Sequence, residues 1–244
     1  MTESRANSDR LDEEWRDKLV AIGKGIAGSI PVAGGLVGEV VGSVIPGQRA
    51  DRIAAYLRAL AARVDLLSLE VRDGLAANVE KIDLIEEGGF QSARATSKER
   101  IDHIVEAVNR GLSEDDADVI RRKRLLLILG QLDDDEVNLL NAYGRAYAGA
   151  DRQAFERINR PEPLHMGSLP SAVDQSHLYE AGKDHLLRLD LLKKNYSQPR
   201  KGETPEFDAR KGDFKHTVEV SYLGRMLLRE IGMETPFDSQ QGGR

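Results

Sequence analysis

The chain contains no cysteine. That excludes disulfide bridges, thiolate metal sites, cysteine nucleophiles and cysteine-held iron–sulfur clusters together. Aromatic residues are only 5% of it, with a single tryptophan, which is thin for a β-sandwich or barrel and suits helices filled by Leu, Ile, Val and Ala. Basic charge is not in excess: 35 Lys and Arg stand against 41 Asp and Glu, so no overall positive field draws the chain to nucleic acid. Long apolar runs are missing too. The longest stretch without a charge is Gly25–Gly38, whereas a membrane-spanning helix needs about 20 residues.

What is present is a folding composition. Hydrophobic residues are 40% and charged residues 31% of 244 positions, enough for one large domain or two small ones. The charge is uneven. Residues 1–150 hold 20 Lys and Arg against 26 Asp and Glu, and residues 151–244 hold 15 of each, so an anionic partner is least repelled by the second part.

Residues 1–18 are rich in acids (Glu3, Asp9, Asp12, Glu13, Glu14, Asp17) and fit neither a secretory signal nor a transit peptide. The expectation is a cytoplasmic protein, with peripheral attachment to an inner membrane left open. From Leu11 an apolar stripe runs through Trp15, Leu19, Ile22 and Ile26 at helical spacing, opposite Asp12, Glu13, Arg16 and Asp17. This is an amphipathic helix. It lies either on a core or, with Trp15 at headgroup level, on a membrane surface; its acids disfavour the second.

Residues 19–46 carry only Lys24 and Glu39 as charges and are interrupted by seven glycines, of which Gly34, Gly38 and Gly42 recur every fourth residue. Each glycine in a helix costs about 1 kcal/mol against alanine, so a ladder of them needs a compensating contact. Close approach of a neighbouring helix supplies one, as in small-residue packing within membranes. Pro31 opens this second helical piece and Pro46-Gly47 closes it. The stretch reads as a buried glycine-packed hairpin, or as one that leaves its resting place to enter a bilayer. Gly23-Lys24-Gly25 lacks the spacing of a phosphate-binding loop.

Residues 48–87 read as one long helix. Ile53, Leu57, Leu60, Val64, Leu67 and Val71 alternate at spacings of 4 and 3, an a/d heptad seam that continues as Leu75, Val79, Ile82 and Ile85. Either the chain's own helices or a second copy covers it. Gly88-Gly89 then breaks the pattern. Thr96 and Glu99 read as a capping box before a helix ending at Gly111, Ser113 as the cap of the next helix, and Asp133 with Glu136 as the cap of another. Leu125–Leu129 are apolar all round and so deeply packed. The bases Arg121, Arg122, Lys123 and Arg124 spread around the helix rather than along one face, between runs of acids, and read as solvated and paired within the chain.

Residues 149–173, with Pro161, Pro163, Gly167 and Pro170, read as a linker. A helix over Gln175–Leu192 follows, then a polar loop at 197–213, a strand at Phe214–Val220 with Thr217, Val218 and Val220, and a final helix capped by Ser221. In this order, residues 174–233 resemble the second half of a winged helix, with Leu191–Tyr196 and Phe214–Val220 as the wing strands. The whole chain is similar to bacterial helical proteins of the abortive-infection alpha kind, which implies a role in defence against phage.

The fold expected is therefore mainly α. A glycine-rich helical segment (1–47) and a bundle built on the long heptad helix (48–148) precede the linker (149–173), a small winged-helix-like α+β module (174–234) and a disordered tail (235–244). The region 193–215 has seven bases and four acids, which would allow Lys193, Lys194 and Lys211 to contact phosphate or a partner. The helix before it bears Glu180, Asp184 and Asp190, a poor phosphate-seeking face, so protein docking is favoured over DNA. No two of the five histidines have metal-site spacing and Ser221 lacks a nucleophile elbow. No catalytic, metal or cofactor residue is assigned. The expected activity is that of a non-enzymatic effector. A protein trigger docks on 174–234, and the segment carrying Trp15, Gly34, Gly38 and Gly42 is released from under the long helix to self-associate and meet lipid. The alternative is a winged-helix DNA-binding regulator with a coiled-coil dimerisation arm.

Overall fold

The computed structural model caps four of the described helices with a short polar side chain, Asn78, Ser97, Asp133 or Ser221, while the helix that opens at Pro170 has no side-chain cap. It describes residues 21, 38–67, 75, 78–113, 116–151, 153–196, 204–209, 212–233 and 235–239. The fold is mainly helical, with a small antiparallel strand region near the C-terminus. Among the described residues, no helix is long and apolar enough to cross a membrane. The chain divides into two compact units, Met1–Gln131 with Glu230–Gly232, and Leu132–Arg229 with Met233–Arg244.

Among its described residues the first unit has the helices α1 (Gly38–Val64), α2 (Val79–Arg94), α3 (Lys98–Leu112) and α4 (Asp116–Leu129). Ile53, Tyr56, Leu60 and Val64 of α1 are buried, and α1 packs on α2 and α3 of the same chain. The core is completed by Leu84 and Ile85 of α2, Ile104, Val105, Val108 and Leu112 of α3, and Leu126 and Leu129 of α4.

Several boundaries differ from the sequence reading. The helix does not stop at Pro46-Gly47 but runs through it; the buried stripe from Ile53 on anchors its second half, and tertiary packing outweighs the one backbone bond that a proline withholds. The stretch 48–87 is not one continuous helix among the described residues. α1 ends at Val64 and turns at 65–67, and α2 restarts where Asn78 accepts from the Lys81 N–H at 2.9 Å. The heptad seam is broken accordingly, and Val79 is exposed.

Gly88 and Gly89 lie buried inside α2 rather than ending a helix. A Cβ on Gly88 would collide with the Tyr56 hydroxyl, which donates to the Ile85 carbonyl at 2.9 Å. The glycine is there for close approach. Ser97, not Thr96, caps α3, accepting from the Arg100 N–H at 3.1 Å. Gly111 lies within that helix, and Ser113 follows its end. Of the 125–129 run, Leu125, Leu126 and Leu129 are buried but Leu127 is exposed, so α4 is packed on one side only.

The second unit begins with α5 (Asp134–Ala146), whose capping box between Asp133 and Glu136 is present. Short 3-10 turns follow at Tyr147–Gly149 and Ala154–Arg157, then α6 (Pro170–Arg188). Strand β1 (Leu192–Tyr196) pairs antiparallel with β4 (His216–Val220), from Leu192 opposite Val220 to Tyr196 opposite His216. Between them β2 (Phe207–Asp208) pairs with β3 (Asp213–Phe214) in a smaller hairpin, so the single strand expected over 214–220 is interrupted at Lys215. The chain then forms α7 (Tyr222–Glu230) and the short α8 (Pro236–Ser239).

The boundary between units lies at Leu132, not in the stretch 149–173. The reason is that α5 packs on the second 3-10 turn, on α6 and on β4. Residues 235–239 are not a disordered tail. Thr235 is buried, its hydroxyl donates to Asp238 at 2.7 Å, and Asp238 pairs with Arg229 at 3.1 Å.

Candidate functional site

The strand region takes its shape from a tight root. Asp190 holds a left-handed backbone, φ 57°, which ends α6 and turns the chain into β1. The Ser221 hydroxyl donates to the Asp190 carbonyl and accepts from the Gly224 N–H at 2.9 Å. One serine thus closes the strand pair and caps α7. Gly224 is required here, since a Cβ would strike the Leu191 carbonyl oxygen.

The period of two along each strand then sorts the side chains. Lys194 and Tyr196 share a face with Val218 and His216; Lys193 and Asn195 share the other with Glu219 and Thr217. On the first face the Tyr196 and His216 rings meet edge to face at 5.4 Å. The His216 Nδ1–H donates to the Phe214 carbonyl at 2.8 Å, which fixes its tautomer. In the small hairpin Phe207 and Phe214 stand opposite each other with centroids 5.5 Å apart. Tyr196, Phe207 and Phe214 are all exposed.

The lysines of this surface are matched by the chain's own acids. Lys194 donates to Asp213 at 2.7 Å and Lys215 to Glu206 at 2.5 Å. The Asp213 hydrogen bond, then its charge, hold the Lys194 ammonium above its ordinary range. The same bond from Lys194 holds the Asp213 carboxyl below its own. Glu206 acts on Lys215 in the same upward sense. These pairs are exposed, so they orient side chains more than they stabilise the fold.

Of the sequence-derived candidates, Lys193 lies exposed on one face of β1, and Lys194 is tied to Asp213 on the other. The two are not brought together. Gly38 and Gly42 fall in the first turns of α1. Trp15, Gly34 and Lys211 lie outside the described residues. The bases at 121–124 are largely paired, Arg121 with Asp118, Arg122 with Glu230 and Lys123 with Asp83. Among the described residues, no three metal-ligating side chains of the His, Cys, Asp or Glu type cluster.

Two features escaped the sequence reading. His185 reaches Glu136 at 2.7 Å, pinning α6 to the start of α5; no spacing rule links those positions. The exposed aromatic trio of the strand region was also missed, because Phe207 sat in what read as a polar loop. No protein-family model, curated protein or solved structure matches this chain.

Proposed function

We propose that the chain is a non-enzymatic helical effector whose winged-helix-like C-terminal module, residues 174–234, docks a protein trigger. The observation that carries this is the state of the wing. Its lysines Lys194 and Lys215 are already bound to Asp213 and Glu206, while Tyr196, Phe207 and Phe214 remain exposed. Phosphate recognition needs cations free to displace counterions. Protein interfaces are enriched in aromatics and depleted in lysine. The surface has the second character.

The effector step rests on the glycine ladder Gly34, Gly38 and Gly42 and on Trp15. Docking releases that part of the chain to self-associate and to meet lipid at the inner membrane. The resemblance to abortive-infection proteins supports a setting in phage defence.

Two measurements test this on the full chain. Leakage from vesicles containing anionic lipid is expected from wild type and not from a Gly34/Gly38/Gly42→Leu variant; equal leakage from both removes the membrane step. Mixed-sequence duplex DNA at low salt is expected to show no mobility shift. A shift abolished by Lys193/Lys194/Lys211→Gln replaces the docking role with the DNA-binding regulator.

A further inference from the structure

The loop that leads from the second 3-10 turn into α6 is unlike an ordinary solvated loop. From residue 163 to residue 173 it has no Asp, Glu, Lys or Arg; Glu162 and Asp174 border the run. Leu164, Met166 and Leu169 are all exposed, and Met166 entirely so, which means that its side chain stands clear of the protein on every side. Large apolar side chains left in water as a group, with polar residues at the rim, mark a surface that a partner or a membrane covers.

The backbone at the tip is turned inward. The His165 N–H donates to the Ser168 Oγ at 2.9 Å, the Gly167 N–H to the His165 Nδ1 at 3.1 Å and the Ser168 N–H to the His165 carbonyl at 3.0 Å. Three of the four N–H groups at 165–168 are thus satisfied within the loop, and Pro163 and Pro170 have none to satisfy. Stranding a donor in hydrocarbon is the main cost of leaving water for lipid, and here most of it is already met. A protein groove would offer acceptors that these amides do not need, whereas an acyl phase offers none. The borders set the depth. Exposed Arg160 and Glu162 on one side and Asp174 on the other stay at headgroup level, so the insertion is shallow, as for interfacial anchors.

We infer that this loop is a membrane anchor, which seats Leu164, Met166 and Leu169 in the interfacial zone of a lipid bilayer. The contact is separate from the glycine ladder and from the docking role of the wing, and depends on neither.

The test uses the full chain. Its single tryptophan allows two reporters: Trp15→Phe/Met166→Trp puts the one indole at the loop tip, and Trp15→Phe/Leu178→Trp puts it at another exposed apolar position, on α6. Each is mixed with phosphatidylcholine vesicles, with and without phosphatidylglycerol, whose brominated acyl chains quench indole fluorescence. The expected result is a blue shift and quenching at 166 in both kinds of vesicle and neither at 178. Adding Leu164→Ser and Leu169→Ser to the 166 reporter should weaken its partition into vesicles by about tenfold. If that variant misfolds, the unaltered chain with isotopically labelled methionine methyls gives the same answer. Nitroxide-bearing lipid in bicelles should broaden the Met166 signal before those of Met226 and Met233, which are partly buried. The absence of quenching at 166 overturns the inference. Equal quenching at 166 and 178 does so too, because the chain would then meet lipid without using the loop. Both reporters lack Trp15, so their failure leaves the release of the glycine ladder standing, and loss of leakage in the ladder variant leaves the loop anchor standing.

Discussion

The two units use their polar groups differently. In the first, polar side chains are buried and close helix ends: Gln91 Nε2 donates to the Leu126 carbonyl at 2.8 Å, and Arg100 donates to the Leu129 carbonyl, so α2 and α3 together satisfy the terminal carbonyls of α4. Tyr56 serves the Ile85 carbonyl inside the same core. In the second, the ion pairs of the strand region and of α6 lie at the surface, as in Lys194 with Asp213, Lys215 with Glu206 and Lys183 with Glu180. Desolvated groups are expensive to leave unpaired, and exposed ones are not. The comparison teaches that the core of the first unit depends on its buried polar contacts, while the surface ion pairs of the second can be altered without unfolding it.

The sharpest way to break that contrast is truncation on each side. Ile104→Ala, at a site with no exposed surface, should cost about 3 kcal/mol by denaturant unfolding. Leu178→Ala on α6, where the side chain is 74% exposed, should stay within about 0.5 kcal/mol. Comparable losses would show that α6 packs as tightly as the bundle.

Next come the two close-approach glycines. At Gly224 an added Cβ meets a backbone carbonyl; at Gly88 it meets the Tyr56 hydroxyl and then a Val108 methyl at 2.8 Å. Gly224→Ala should therefore destabilise by about 3 kcal/mol, at the upper end for overpacking. Gly88→Ala should cost about 1–2 kcal/mol after its gain in helix propensity. Adding Tyr56→Phe to Gly88→Ala should recover part of the loss, because the colliding oxygen is gone. No recovery would mean that the Val108 methyl or the Tyr56 ring carbon, 2.9 Å from the added Cβ, sets the limit.

Tyr56 also gives the first unit a pH signature. Full burial raises its hydroxyl pKa well above the ordinary value of 10.0. A raised folded-state pKa favours the neutral form, so the stability it confers is complete below pH 10 and is lost as pH climbs beyond it. The slope is about 1.4 kcal/mol per pH unit for one group. Tyr56→Phe should cost about 1 kcal/mol at neutral pH, the worth of one buried hydrogen bond, and should flatten the decline above pH 10. Parallel alkaline decline in the two proteins would place the titration elsewhere.

The helical class and several caps were readable because their signals are local. Asp133 and Glu136 lie three apart and make the box that this spacing implies. The strand at 216–220 was readable from Thr217, Val218 and Val220, although its start was set at Phe214; β1, which has no β-branched residue, was placed only through the resemblance to a winged helix. What was not readable depends on contacts between distant segments. Gly88 looks like a helix breaker until Tyr56 is seen against it, and Lys194 looks like a free cation until the strand register brings Asp213 to it.

The smallest effect is the most discriminating one for the wing. Lys194→Gln removes the partner that lowers the Asp213 pKa. A depressed folded-state carboxyl confers stability above its ordinary pKa, which is lost as pH falls through the folded value. Asp213 is at the surface, where solvent screens the pair and little stability is at stake. The thermal midpoint at neutral pH should therefore not move. The Asp213 carboxyl, followed by NMR, should titrate at higher pH in the variant, back toward the ordinary carboxylate range. A lowered thermal midpoint would mean that the pair holds the strands together rather than merely orienting Lys194. Surface pairing in the second unit would then matter to folding no less than buried pairing does in the first.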